Sequence, residues 1–438
     1  MRFTSRQIAE ATGGTQIGPD VSVGGAAIDS RTAGPDELFV PIRGTRDGHD
    51  FIVDALRRGV EIYLTERAAH GATAIRVANT LTALHDLGRA SRTRVPDLVV
   101  GVTGSVGKTT VKELLAGAFL SAGTVAASPA SYNNELGVPL TLVNAPDMPD
   151  AVIVEMGARG RGHITLLCDI ARPTVGVVTE VAGAHLELFK TIEEVARSKR
   201  ELVEALPSDG LAVLNGDNPL VTKMAGATGA SPITFGLSAA SDVWAADVAL
   251  DAQLRPTFTL NSPWGATTIT LALRGLHQVP NALAAAAPAL WRGLELDAVA
   301  SGLSSVLAPS HRMALTTTRS GAMVIDDSYN ANPTSVEAAL ESLAALAATR
   351  RVAILGLMAE LGEDSAEAHL YIAGKAADLG IELIAVGTDL YGHQVTELND
   401  VPAKVGRLDA TCAVLVKGSR VIELERVIPL LDGPACTT

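Results

Sequence analysis

The stretch Gly101-Val-Thr-Gly-Ser-Val-Gly-Lys-Thr-Thr110 follows an apolar run and precedes a segment with apolar residues at helical spacing. A strand, a glycine-rich turn and a helix start predict an anion site, because backbone N–H groups can close around phosphate. Lys108 would then reach the outer phosphates of a nucleotide, and Thr109 would bind Mg²⁺. The strict pattern has glycine at position 102, where this chain has Val102, and Gly101 stands one residue early. The other positions still favour a nucleotide-phosphate site over a structural turn.

Composition and charge limit the classes of protein to consider. The chain has 438 residues, too many for one ordinary core, so we expect two or three domains. Its apolar residues are mainly alanine, valine and leucine, which is typical of α/β layers. The net charge of −13 comes without a basic stripe, which argues against nucleic acid as a partner.

The cysteines and the apolar segments indicate the cellular compartment of the protein. Cys168, Cys412 and Cys436 are scattered without CxxC spacing, so neither a disulfide scaffold nor a zinc site is expected. The N-terminal residues lack the apolar region of a signal peptide. The most apolar segment, 282–290, is too short to span a bilayer. We therefore expect a cytoplasmic protein with no membrane span.

The order of strand and helix patterns predicts an α/β protein of three domains. Residues 1–82 are predicted to form a small N-terminal α/β domain. Residues 83–308 are predicted to form a P-loop ATPase-like domain with a parallel sheet. Alternating residues from about 243 to 273 indicate antiparallel strands appended to that sheet. Residues 309–438 again alternate strands and helices, which predicts a Rossmann-like, doubly wound domain.

Polar residues gather on predicted loops of the first domain. They are Ser30, Arg31, Arg43, Gly44, Asp47, Gly48 and His49. Loop arginines beside glycines often bind phosphate or carboxylate groups. Solvated turns without a ligand explain the same residues equally well, so both interpretations stand at this point.

The apolar strand predicted at 151–155 ends in a carboxylate, Glu155. Open α/β sheets bind ligands at the carboxyl ends of their strands. Glu155 would then face the nucleotide and hold Mg²⁺, as the acidic residue of P-loop enzymes does. The alternative is a strand-end acid in solvent.

Lys199 falls on the apolar face of a predicted helix, with Val195 and Leu202 on the same face. An inward lysine needs a partner or a reduced pKa. A neutral lysine can also react with CO₂, which converts it into an anionic metal ligand. The alternative is a side chain that extends along the apolar surface to reach water, which geometry alone favours slightly.

Motifs along nearly the whole chain resemble those of the Mur ligases, and they occur in the same order. These motifs are 103–109, 155–157, 184–187, Lys199, Asn281, 311–312 and 327–333. Three further stretches resemble the branch of that family that joins D-alanyl-D-alanine to UDP-N-acetylmuramoyl-tripeptide; they are 131–140, 356–365 and 416–420. The Asp-Asn-Pro-Arg motif of the branch that selects diaminopimelate is absent.

The resemblance implies a three-domain, ATP-dependent ligase of peptidoglycan synthesis that acts as a monomer on these two substrates through an acyl phosphate. It implies an ATP site formed by Gly104, Ser105, Val106, Gly107, Lys108, Thr109, Thr110, Asn281, Arg312, Asp327, Tyr329 and Asn332. It implies two Mg²⁺ sites held by Thr109, Glu155, His185 and a carbamylated Lys199. The UDP-linked substrate would contact Ser30, Arg31, Arg43, Gly44, Asp47, Gly48, His49, Asn133 and Asn134. The residues implied in catalysis are Lys108, Glu155, His185, Lys199 and Arg312.

The chain departs from the common family pattern at Val106, Glu180, Gln278 and Leu357. Val106 and Gln278 would shift nucleotide contacts only. Glu180 would add a negative charge near the second metal. Leu357 replaces an aspartate and places some contacts with D-alanyl-D-alanine in question.

Two alternatives remain beside the ligase that the resemblance implies. One is a paralogue that joins a different amine to a different carboxylate. The other is a degenerate paralogue that binds ATP and a wall precursor and only regulates. The presence of all the implied catalytic residues argues against degeneracy. The loop residues of the first domain favour a UDP-sugar peptide over a folate-like substrate.

Overall fold

The computed structural model describes residues 1–95, 98–129, 131–183 and 186–432, and over these ranges the chain forms three successive α/β domains. This confirms the predicted fold class. Among the described residues, no helix has the length and apolar character needed to cross a membrane.

The first domain contains a mixed sheet with strand order β2-β7-β6-β5-β4, in which β2 alone runs antiparallel to its neighbour. Its strands are β1 Phe3–Thr4, β2 Thr15–Ile17, β3 Ser22–Val23, β4 Gly25–Ala27, β5 Glu37–Phe39, β6 Ile62–Thr65 and β7 Thr73–Arg76. Its helices are α1 Ser5–Thr12, α2 Ile52–Arg57 and α3 Thr80–Arg92. The predicted boundary after residue 82 lies in the first turn of α3, which packs against α1 and against the central domain.

The central domain is built on a sheet with strand order β16-β15-β14-β13-β12-β11-β8-β10-β9. The strands are β8 Val99–Thr103, β9 Val125–Ala127, β10 Ala151–Glu155, β11 Val175–Val178, β12 Leu211–Asn215, β13 Ser231–Gly236, β14 Val243–Leu250, β15 Pro256–Ser262 and β16 Gly265–Thr270. From β9 to β14 the strands are parallel, and β15 and β16 are added antiparallel. The alternating pattern predicted antiparallel strands from about residue 243, so it is confirmed for β15 and β16, whereas β14 runs parallel to β13. Strands β8, β10, β11 and β12 are buried throughout, which explains their continuous apolar runs.

Helices cover both faces of the central sheet. They are α4 Lys108–Ala118, α5 Gly137–Val143, α6 His163–Ala171, α7 Leu186–Phe189, α8 Ile192–Glu204, α9 Pro219–Thr222, α10 Gln278–Trp291 and α11 Leu296–Ser305. One apolar core lies under α4 and α10, and another lies under α6 and α8. This layering leaves the carboxyl ends of β8 and β10 open at one edge of the sheet, where the nucleotide loop begins.

The last domain has strand order β17-β18-β21-β19-β20, with β17 antiparallel and the rest parallel. Its strands are β17 Ala314–Thr317, β18 Met323–Asp326, β19 Arg350–Leu355, β20 Glu382–Ala385 and β21 Cys412–Lys417. Its helices are α12 Pro333–Ala345, α13 Ser365–Asp378 and α14 Val401–Val405. The carboxyl ends of β18 and β21 therefore lie side by side, and both contribute residues to the site described next.

Candidate active site

The nucleotide loop occupies the turn from β8 to α4, and two glycines in it have no room for a side chain. A Cβ on Gly104 would lie 1.9 Å from Thr179 Oγ1, and one on Gly107 would lie 2.6 Å from Asn281 Oδ1. Gly107 also has a φ of +84°, which favours glycine. Val102 is buried within β8, so the position where the strict pattern has glycine belongs here to the strand and not to the loop.

Lys108 folds back over the nucleotide loop. Its Nζ donates hydrogen bonds to the carbonyl oxygens of Gly104 at 2.7 Å and Ser105 at 3.4 Å. Burial lowers the pKa of Lys108, while Glu155 opposes this change. A phosphate at the N-terminus of α4 would lie beside this ammonium group and beside the backbone N–H groups of the loop.

Glu155 lies at the end of β10 and is 1% exposed, so it is not a solvated strand-end acid. Its Oε2 accepts a hydrogen bond of 2.9 Å from Thr109 Oγ1, and its Oε1 accepts one of 2.8 Å from Asn133 Nδ2. A carboxylate and a hydroxyl side by side are oxygen donors of the kind that Mg²⁺ takes. These two residues therefore fit a magnesium site at the nucleotide loop.

Arg312 brings a cation from the last domain to this point. Its Nη2 lies 3.4 Å from Thr109 Oγ1, and its guanidinium carbon lies 4.2 Å from the centre of the Tyr329 ring. Tyr329 in turn forms a 3.0 Å hydrogen bond with Ser131 of the central domain. The site is therefore shared between two domains, as the resemblance implied.

Lys417, at the end of β21, was not predicted as a site residue. It is 3% exposed and its Nζ lies 2.5 Å from Asp327 Oδ2, with a further hydrogen bond of 2.8 Å to the carbonyl of Asn330. Its sequence signal was its place in the stretch 416–420 that resembles the family, but the position of β21 beside β18 was not evident from sequence. Asn332, predicted as an ATP contact, also caps α12 by accepting a 2.9 Å hydrogen bond from Ser335 N.

A cavity of about 400 Å³ lies between the central and last domains. Of the residues predicted to bind ATP or metal, it is lined by Ser105, Val106, Gly107, Lys108, Thr109, Thr110, Glu155, Asn281, Arg312, Asp327, Tyr329 and Asn332. Residues that were not predicted but line it include Thr179, Asn215, Phe235, His277 and Lys417. Its size and mixed lining suit a nucleotide.

A second cavity of about 180 Å³ adjoins the nucleotide loop and contains Lys199. Lys199 is 4% exposed, and it belongs to the buried face of α8. Burial, with a smaller effect of Lys108, lowers its pKa to about 7. The extended, water-reaching conformation is therefore wrong for this lysine. Asn133 and Asn134 line the same cavity, as does Gly104.

His185, the other residue implied in a second metal site, lies outside the described residues. Over the part of the chain that the structure describes, no three His, Cys, Asp or Glu side chains form a metal-binding group. An unmodified Lys199 is a cation when protonated and does not fit a metal, whereas a carbamate on its Nζ would supply oxygen donors.

Glu180, one of the departures from the family pattern, lies at the edge of the larger cavity. Its Oε2 accepts a 3.0 Å hydrogen bond from Asn215 Nδ2, and its Oε1 is bonded by the amide of Asn218. Burial raises the pKa of this carboxyl group. Its backbone carbonyl accepts a 2.7 Å hydrogen bond from Ser105 N, so this segment supports the nucleotide loop.

The arginines of the first-domain loops are paired with carboxylates of the same domain. Arg31 forms a 2.6 Å ion pair with Asp29 and its side chain is 83% exposed. Arg43 forms a 2.6 Å ion pair with Glu66, next to the turn that contains Gly44. Neither these residues nor Ser30 line the two cavities described above. Their part in substrate binding stays a prediction.

The half-buried Asp47 and the buried His49 are in contact within that domain. His49 Nδ1 lies 2.6 Å from Asp47 Oδ1, and His49 Nε2 accepts a 3.1 Å hydrogen bond from Glu66 N. The proton of the neutral imidazole is therefore on Nδ1 and is donated to Asp47. A Cβ on Gly48 would lie 2.6 Å from Ile42 N, so the turn is closely packed.

The fold and the site define a three-domain α/β protein with a P-loop at a cavity that suits a nucleotide. The sequence matches the Mur ligase family catalytic domain over residues 22–97, the Mur ligase middle domain over 102–289 and the Mur ligase glutamate ligase domain over 311–420. The chain belongs to the Mur ligase family.

Relatives and solved structures agree with this assignment. The chain is 40% identical over 427 residues to the UDP-N-acetylmuramoyl-tripeptide--D-alanyl-D-alanine ligase of Mycobacterium tuberculosis, covering 89% of this chain and 84% of that protein. It is 33% identical to the ligase of the same name from Escherichia coli, covering 98% of both. It resembles MurF from Acinetobacter baumannii with a TM-score of 0.90 and 27% identity over 99% of both chains. The TM-score is 0.83 to the MurF ligase from Thermotoga maritima in complex with ADP, at 27% identity and over 93% and 97% of the chains.

Proposed function

We propose that this protein joins D-alanyl-D-alanine to UDP-N-acetylmuramoyl-tripeptide at the expense of ATP, in peptidoglycan precursor synthesis. The observation that carries the proposal is the position of Lys108, which lines both the nucleotide cavity and the cavity of Lys199. A phosphate donor in one cavity and a carboxylate in the other would meet at this lysine. The names of the relatives supply the identity of the two substrates.

In the first step, an oxygen of the tripeptide carboxylate attacks the γ-phosphorus of ATP, and the bond to the bridging β–γ oxygen breaks to release ADP. Lys108 and Arg312 would lie beside the charge that develops on the transferred group. Thr109 and Glu155 would hold Mg²⁺, which neutralises phosphate charge when it is bound. A carboxylate is a poor electrophile, and the acyl phosphate provides it with a leaving group.

In the second step, the amine of D-alanyl-D-alanine attacks the acyl carbon, the C–O bond to phosphate breaks, and the nitrogen loses a proton. Water would destroy the acyl phosphate, so the site must close before chemistry. The contacts of Arg312 and Tyr329 across the domain boundary support such closure. We expect the protein to act as a monomer, and the substrates point to a cytoplasmic location.

The decisive experiment measures phosphate release from ATP and Mg²⁺ with UDP-N-acetylmuramoyl-tripeptide, with and without D-alanyl-D-alanine. Release that needs both substrates, with the pentapeptide product identified by mass, is the expected result. ATP turnover that ignores D-alanyl-D-alanine would indicate a ligase for another amine. ATP binding without turnover would indicate a degenerate paralogue and would direct attention to Glu180 and Leu357.

A further inference from the structure

Glu360 lies where the two cavities meet. Among the described residues that line these cavities, Lys108, Asn133 and Glu360 line both. Lys108 and Asn133 come from the central domain, whereas Glu360 follows β19 in the last domain. The acyl phosphate would form at this junction, so Glu360 would lie beside it together with Lys108.

The backbone at Glu360 is held in an unusual conformation. Its φ is +66°, in the left-handed region that residues other than glycine rarely adopt. Its carbonyl accepts a 3.5 Å hydrogen bond from Glu187 N of the central domain. Such strain at a non-glycine residue is typical of functional sites, where the side chain is needed in spite of the backbone cost.

The negative charge of Glu360 limits which ligand groups it can bind. A carboxylate repels the phosphates of ATP, the carboxylate of the tripeptide and the acyl phosphate. It attracts a cation, and the amino end of D-alanyl-D-alanine is the cationic group that must reach the acyl carbon. Glu360 is also exposed to solvent, so a substrate that enters after ATP can reach it.

We propose that Glu360 binds the ammonium group of the incoming D-alanyl-D-alanine and positions its nitrogen for attack on the acyl carbon. This inference rests on the proposed function and adds the residue that recognises the nucleophile. The nitrogen must lose a proton before it can attack. Glu360 orients the ammonium group, and its carboxylate takes the proton that the nitrogen loses before attack. The second proton leaves the nitrogen as the C–O bond breaks and goes to the departing phosphate.

The test uses Glu360→Gln in the full-length enzyme. Loss of a charge-assisted hydrogen bond should raise KM for D-alanyl-D-alanine at least about 10-fold and leave KM for ATP and for the tripeptide nucleotide within about 2-fold. Exchange of the bridging oxygen in ¹⁸O-labelled ATP, which reports acyl phosphate formation without the acceptor, should continue. Glu363→Gln, three residues further along and exposed, is the matched control and should behave as wild type.

A second ligand separates charge recognition from general damage to the site. D-Lactyl-D-alanine has a hydroxyl group in place of the ammonium group. Its inhibition constant should be the same for wild type and Glu360→Gln. Equal weakening of both ligands, or an unchanged KM for D-alanyl-D-alanine, would overturn the proposal.

A third variant separates function from folding. Glu360→Gly removes the side chain and suits a φ of +66°, so the variant should keep the wild-type circular dichroism spectrum while KM for D-alanyl-D-alanine rises. A change in Mg²⁺ dependence would instead assign Glu360 to the metal, and a raised KM for the tripeptide nucleotide would assign it to that substrate. Both results would overturn the proposal. If wild type itself makes no pentapeptide, the proposed function is wrong. This outcome differs from a Glu360→Gln variant whose KM for D-alanyl-D-alanine is unchanged, which would contradict only the role of Glu360.

Discussion

The nucleotide loop and the loops of the first domain both contain basic residues beside glycines. The two groups differ in the partners of their basic side chains. Lys108 is bonded to carbonyl oxygens of its own loop, and no ion pair joins it to a carboxylate among the described residues. Arg31 and Arg43 already form ion pairs of 2.6 Å with Asp29 and Glu66. Lys108 can therefore bind a phosphate without breaking an ion pair. Arg31 and Arg43 must each leave a carboxylate before they can bind an anionic ligand.

This difference predicts how much each group contributes to activity. A buried cation without a carboxylate partner gains a large electrostatic interaction when phosphate arrives. An exposed arginine that leaves a carboxylate for a phosphate gains little, because exposed ion pairs contribute only about 0–1 kcal/mol. We therefore expect large losses from variants at the nucleotide loop and moderate ones from variants in the first domain.

Lys108→Ala should have the largest effect. Loss of the ammonium group removes charge stabilisation where the γ-phosphoryl group is transferred, so ATP-dependent phosphate release should fall by about 10³-fold or more. The measurement is phosphate release with both substrates present. Lys223→Ala, at an exposed position away from the cavities, is the control. Unchanged release in Lys108→Ala would move the nucleotide site elsewhere.

Lys199→Ala should abolish ligation, with a loss of roughly 10²-fold or more if the lysine supplies a metal ligand. Added bicarbonate should raise the ligation activity of wild type that has been depleted of CO₂, and it should not change the activity of the variant. Mass spectrometry under non-acidic conditions would detect the carbamate on wild type. A variant with near wild-type turnover would show that the carbamate assignment is wrong.

The strongest parts of the site could be predicted because they depend on neighbours in sequence. Gly107, Lys108 and Thr109 form one turn, and the helix periodicity alone placed Lys199 on a buried face. Local spacing fixes these features once strand and helix are recognised. The resemblance then supplied a role for the buried lysine, which spacing could not.

Other parts depend on strand order, which the sequence pattern does not contain. Lys417 meets Asp327 because β21 lies between β18 and β19, so that two residues 90 positions apart share a sheet edge. The pairing of Arg43 with Glu66 likewise depends on how two loops of the first domain approach each other. For that reason the sequence could not decide between a ligand-binding and a self-paired arginine.

Arg43→Ala should have a moderate effect that is confined to one substrate. If Arg43 leaves Glu66 to bind the UDP-linked precursor, KM for that substrate should rise about 5- to 10-fold with KM for ATP unchanged. Arg57→Ala is the matched control, since Arg57 is an exposed arginine of the same domain that pairs with Asp54. An equal, unchanged KM in both variants would favour the interpretation of this segment as a solvated turn.

Asp47→Asn should have the smallest effect on catalysis and should act on stability instead. The hydrogen bond from His49 N, opposed by burial and aided by the His49 side chain and by Arg67, lowers the pKa of Asp47 to about 2. A carboxyl group with a lowered pKa in the folded state adds stability above its ordinary pKa of 3.8, and this stability is lost as pH falls toward 2. The urea midpoint of wild type should therefore exceed that of Asp47→Asn near neutral pH, and the two should converge between about pH 4 and pH 2. Asp54→Asn, which breaks only the exposed pair on α2, should lower the midpoint little at any pH. If the difference in urea midpoint between wild type and Asp47→Asn stayed the same down to pH 2, the charge of Asp47 would not stabilise the turn. The difference between the first-domain loops and the nucleotide loop would then depend only on the ion pairs of the arginines.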